Sequence, residues 1–91
     1  MPEVLFTVQL PDGTQKQCYS PSTVVLSYFQ QGDEMPVTEF VQRSRRALNE
    51  ASERVRARYG FACSSASNQL AQIEHFTRAQ PPDGTVRILN I

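Results

Sequence analysis

The sequence predicts one small α+β domain over residues 1–91, in the order ββαααβ, with a three-stranded sheet and helices packed on one of its faces. Three observations carry this. Val4, Phe6, Val8 and Leu10 alternate with more polar neighbours, the period of a half-buried strand. Phe40, Val41, Ser44, Leu48, Ala51, Val55 and Tyr59 recur at steps of three and four, the stripe of an amphipathic helix. Val86 to Ile91 is a short apolar closing segment, again with the look of a strand.

The first strand runs from Val4 to Leu10 and meets Pro11-Asp12-Gly13. Proline presets the first central position of a type I turn, and glycine takes the left-handed position that follows. A three-residue hairpin loop results. In that register Leu10 faces Thr14, Val8 faces Lys16 and Phe6 faces Cys18. Cys18 therefore lies on the apolar side and Tyr19 on the other, beside Leu5. A slip of one residue would exchange them.

Ser20-Pro21 then reads as a helix start. A helix to about Gln31, stopped by Gly32, would bury Val24, Val25, Tyr28 and Phe29, and residues 32–36 follow as a loop. Thr38 is the expected cap of the long helix Glu39 to Tyr59, closed by Gly60. Glu39–Arg43, Arg46–Glu50 and Glu50–Arg54 are spaced to pair along it. Phe61-Ala62 is a tight link to a third helix, Ser64 to Thr77, whose buried face carries Ala66, Leu70, Ile73 and Thr77. So short a link makes the two helices antiparallel. Pro82-Asp83-Gly84-Thr85 repeats Pro11-Asp12-Gly13-Thr14, which implies the same turn chemistry. A lone hairpin is marginal in water, so the last strand is expected beside the first, in the order 2-1-3. The pattern does not fix that strand's direction; of the two, parallel is the one expected.

Nine basic residues balance nine acidic ones. Zero net charge opposes a nucleic-acid role, which needs a basic surface, and leaves self-association unhindered. No basic, apolar leader opens the chain and no run approaches a membrane span, so a cytoplasmic location is expected. Two cysteines are too few for a disulfide scaffold. No cofactor or metal is implied: the chain lacks a phosphate-binding glycine loop, a nucleophile elbow and any Cys/His ligand spacing.

Few residues suggest chemistry. Cys63 stands at the start of the third helix, where free N–H groups favour a thiolate. It also falls near Ala66 and Leu70 on the helical wheel, as a core cysteine would. Ser64 and Ser65 can hold an anion there, or simply cap the helix. His75 falls opposite the buried stripe, exposed. Six arginines on the long helix, Arg43, Arg45, Arg46, Arg54, Arg56 and Arg58, face three glutamates, Glu39, Glu50 and Glu53. That excess suits RNA, an acidic partner or a phosphate, or only a solvated, salt-bridged helix face. Arg58 falls at the edge of the apolar stripe, where its stem can cover the core. With Arg54, Cys18 and Tyr19, these residues complete the candidate set.

Three blocks, Cys18-Tyr19-Ser20-Pro21-Ser22-Thr23-Val24-Val25, Ala51-Ser52-Glu53-Arg54-Val55-Arg56-Ala57 and Tyr59-Gly60-Phe61-Ala62-Cys63-Ser64-Ser65-Ala66, closely resemble one family. These are the small bacterial nitrogen-starvation response proteins first noted in mycobacteria. The resemblance runs from Met1-Pro2-Glu3 nearly to the end of the chain. It implies a setting rather than a mechanism: genes of the family lie beside those for a nitrilase, a radical-SAM protein, an acetyltransferase and a flavoprotein. That company implies assimilation of nitrile or cyanide nitrogen under nitrogen limitation. No catalytic residue is carried over.

The expected function is thus a non-enzymatic accessory or regulatory protein that binds a protein partner, such as an enzyme of that pathway. A homodimer built on the long helix is expected, with no membrane or nucleic-acid partner. The alternative is a small thiol-dependent enzyme or redox protein using Cys63, with Cys18 as its second thiol.

Overall fold

The alternation at the start of the chain becomes β1, Val4–Gln9, and the turn delivers β2, Gln15–Ser20, in the expected register: Phe6 opposite Cys18, Val8 opposite Lys16. Residues 2–60 and 64–91 are described by the computed structural model. At the turn Gly13 takes φ 90° and its N–H donates to the Leu10 carbonyl at 2.9 Å, while the Leu10 N–H donates to the Thr14 carbonyl at 2.8 Å. The Asp12 carboxylate accepts from the Thr14 N–H at 3.0 Å.

Beyond β2 the expected helix to Gln31 shrinks to one 3-10 turn, Thr23–Ser27. Ser20 is still a β2 residue paired with Val4, and its hydroxyl donates to the Ser22 carbonyl at 2.7 Å. The cap is Ser22, whose Oγ accepts from the Val24 N–H. The β-branched run Thr23-Val24-Val25 resists a longer helix. Val24, Val25 and Phe29 still bury as expected, while Tyr28 is only half-buried.

The segment expected as a loop contains β3, Glu34–Pro36, so the sheet has four strands rather than three. A three-residue strand ending in proline leaves no alternation to detect. It runs directly into α1, Val37–Tyr59. Thr38 is therefore not a cap. Pro36 holds that position without a side-chain bond, and the Val37 and Thr38 N–H groups donate instead to the carbonyls of Gly84 and Pro82. At the far end Gly60 adopts φ 82° and its N–H donates to the Arg56 carbonyl at 2.8 Å, as the sequence predicts. α2 is Ser64–Arg78, and the connection expected at Phe61-Ala62 lies outside the described residues.

β4, Thr85–Asn90, lies beside β1 as expected, but antiparallel to it. The order is β2-β1-β4-β3, and every pairing is antiparallel. The reason is geometric. α2 returns along α1, so that Thr77, Arg78 and Gln80 meet Val37, Thr38 and Val41. The helical hairpin thus brings the chain back to the end of β3, and Thr85 pairs with Pro36. A strand leaving that point must run back along β3.

Both helices cover the face that carries Phe6, Val8, Cys18, Val86 and Ile88. Phe6, Phe29 and Phe40 form a continuous row, with ring centres 5.8 and 5.6 Å apart. Such contacts add about 0.5–1.5 kcal/mol each beyond burial. The opposite face is open: Leu5, Gln17 and Arg87 are exposed. The α1 stripe buries Phe40, Ser44, Leu48, Ala51 and Val55 but not Tyr59, which is 52% exposed. Of the three expected ion pairs on α1, Glu39–Arg43 forms at 2.8 Å. Glu50 instead accepts from the Tyr28 hydroxyl at 2.9 Å, drawn off by the packing of the 3-10 segment against α1.

Candidate functional site

β2 is the outer strand of the sheet, and its register decides which backbone groups are free. Thr14, Lys16 and Cys18 exchange hydrogen bonds with β1, so Gln15, Gln17 and Tyr19 turn their N–H and C=O groups outward. α2 runs along this edge. Its Gln69, 7% exposed, accepts from the Tyr19 N–H through Oε1 at 3.0 Å and closes one end of the edge. Gln69 Nε2 is buried and has no partner among the described residues. Gln15 and Gln17 remain exposed.

Between the rest of the edge and α2 is a cleft of about 390 Å³, lined by Lys16, Gln17, Ala71, Gln72, His75 and Phe76. Lys16 is on the inward, helix-facing side of β2, opposite Val8, half-buried. Its Nζ stands 5.7 Å from the centre of the Phe76 ring, within cation–π range. The neighbouring carboxylate on α2, Glu74, is turned to Arg45 of α1 at 2.9 Å. The cleft therefore offers an ammonium group, an imidazole, two amides and an aromatic wall, with no carboxylate in its lining.

The residues singled out from the sequence are scattered. Cys18 is 1% exposed beside Phe6, as the turn register requires. Burial pushes its thiol from 9.0 up to about 12, against a smaller opposing pull from Lys16. Tyr19 lies half-buried on the other face. Arg54 and Arg58 are exposed on the last turns of α1. The Arg58 stem does not cover the core; its guanidinium sits 5.8 Å from the Tyr59 ring, because the helix end stands clear of the sheet. Ser64 and Ser65 are exposed in the first turn of α2. Cys63 itself lies outside the described residues. Among the described residues, the structure brings none of these into one site with Cys18. Among the described residues no group of three or more His, Cys, Asp or Glu side chains is placed to hold a metal, and no helix is long and apolar enough to cross a membrane.

The cleft was not among the sequence candidates, yet a signal for it exists. Lys16 is the only lysine of the chain, and the strand period puts it on the same side as Phe6, Val8 and Cys18. A charge at an inward position marks a strand edge that is managed rather than packed.

A family model described as nitrogen starvation-induced protein NitG matches residues 5–91. No curated protein and no solved structure matches the chain.

Proposed function

Because the chain belongs to the family of nitrogen starvation-induced proteins described as NitG, we propose that it serves that response in the cytoplasm as a non-enzymatic accessory or regulatory protein, by binding another protein. The observation that carries this reading is the open edge of β2 beside an apolar-walled cleft, a feature suited to recognition. Cys18 supports it from the other side. A thiol this buried, with its pKa pushed up to about 12, is a poor nucleophile or redox partner for Cys63. The resemblance to the nitrogen-starvation proteins points to the partner's class, an enzyme that assimilates nitrile or cyanide nitrogen. The same protein acts as a homodimer through α1, whose exposed Arg46, Arg54 and Arg56 face outward.

Affinity capture tests the proposal. Tagged protein from nitrogen-starved cells is expected to retain a nitrogen-assimilation enzyme that is missing from nitrogen-replete controls. Cys63→Ser is expected to retain the same enzyme and to support growth on the limiting nitrogen source. A folded Cys63→Ser protein that keeps its partner but cannot support growth would transfer the function to the thiol.

A further inference from the structure

We propose that the cleft between β2 and α2 takes an extended, acidic segment of the partner protein, added as a further strand to β2. This rests on the protein-binding reading above and names its surface and the chemistry of its ligand. The outward N–H and C=O groups of Gln15 and Gln17 meet no group among the described residues, while the next outward donor, of Tyr19, is already taken by Gln69. The edge is thus open over one short stretch and closed beyond it. Main-chain pairing over that stretch holds a segment of three or four residues. Its alternate side chains point into the cleft, against Phe76 and Ala71.

Charge selects the occupant. Lys16 reaches into the cleft with no acidic partner among the described residues, and its contact is the Phe76 ring. Glu74 is held away by Arg45. A glutamate or aspartate entering the cleft meets the ammonium group of half-buried Lys16 and, at the cleft's outer side, the exposed ring of His75. A second copy of this chain is the wrong occupant. Two β2 edges laid antiparallel would place their lysines in neighbouring positions and bring no carboxylate to either cleft.

The test uses blocked five-residue peptides that alternate valine and threonine about a central glutamate, glutamine or lysine, titrated into the full chain and followed by amide NMR. The glutamate peptide is expected to move the signals of Gln15, Lys16, Gln17, His75 and Phe76, and to slow amide exchange at Gln15 and Gln17. The glutamine peptide is expected to bind about three- to fivefold more weakly and the lysine peptide more weakly still. Lys16→Met should erase the preference for glutamate, and Lys16→Arg should keep it. Gln17→Pro removes one outward donor without touching the β1 ladder and should weaken every peptide. Equal binding of all three peptides, signals moving elsewhere, or the same shifts on concentrating the protein alone would each overturn the proposal. Capture from starved cells separates the two levels. If Lys16→Met and Gln17→Pro still retain the wild-type partner, protein binding stands and this surface is wrong; if the wild type retains nothing, the broader reading fails.

Discussion

Pro11 and Gly84 are in such close contact that a Cβ on the glycine would lie 2.6 Å from Pro11 Cγ and 2.9 Å from Pro81 Cγ. The two Pro-Asp-Gly-Thr segments therefore pack against each other, and they use their glycines differently. Gly13 is needed for its φ of 90°, whereas Gly84 has no positive φ and is needed for lack of a side chain. Proline rings are stiff and cannot yield.

Gly84→Ala is accordingly expected to cost about 1–3 kcal/mol, the usual penalty of overpacking. Gly13→Asn should be milder, since asparagine tolerates the left-handed region. Gly84→Asn should be as harmful as alanine or worse. Urea unfolding of the three variants checks this; equal tolerance of Gly84→Ala and Gly13→Asn would show that the turns can separate.

Cys18 is expected to resist labelling. In a Cys63→Ser background its thiol should react with a maleimide only as fast as the domain opens, and at once in urea. The raised pKa also sets a sign. The folded state holds the proton more tightly than the unfolded chain, so this contribution to stability is complete below about 9.0 and is lost as pH rises toward about 12. The alkaline decline in stability should be shallower in Cys18→Ala. Fast labelling of the native protein would contradict the burial.

Asp12 joins the hairpin turn to the segment after α2: it accepts from the Thr14 N–H at 3.0 Å and from Gln80 Nε2 at 3.1 Å. The Thr14 backbone bond first, and then Gln80, hold its carboxyl below the usual 3.8. Its stabilising effect is therefore present above the unfolded value and lost as pH falls through the lower, folded one. Carboxyl NMR should find Asp12 titrating below the usual 3.8. Gln80→Ala should move it only part of the way back, because the larger cause remains. A full return would assign the shift to Gln80.

α1 spans 23 residues, about 34 Å at 1.5 Å per residue, against about 20 Å for six-residue strands. Its last turn, with exposed Arg58 and Tyr59, extends beyond what the sheet covers. The proposed homodimer should show in light scattering as a mass above the 10.3 kDa of the monomer at micromolar concentration. Arg46→Glu should weaken it without unfolding the chain, since Arg46 is exposed. A monomer at every concentration would remove α1 as a self-association surface.

The sequence by itself determined what depends on neighbours a few residues apart. Pro11-Asp12-Gly13 set the hairpin register, and with it Cys18 beneath Phe6. Steps of three and four set the buried face of α1, and Gly60 its end. Only the tertiary structure decided the rest, because those features are satisfied from far along the chain. β3 exists by pairing with β4, some fifty residues later, and carries no period of its own. α1 starts two residues early because the carbonyls of Gly84 and Pro82 meet N–H groups that a local cap would otherwise have to satisfy. β4 runs antiparallel because a helical hairpin returns the chain to where it left the sheet. The cleft follows from the same fact. Lys16 was legible as an inward charge, but Phe76 and His75 reach it only once α2 lies along the edge of β2, sixty residues away in sequence.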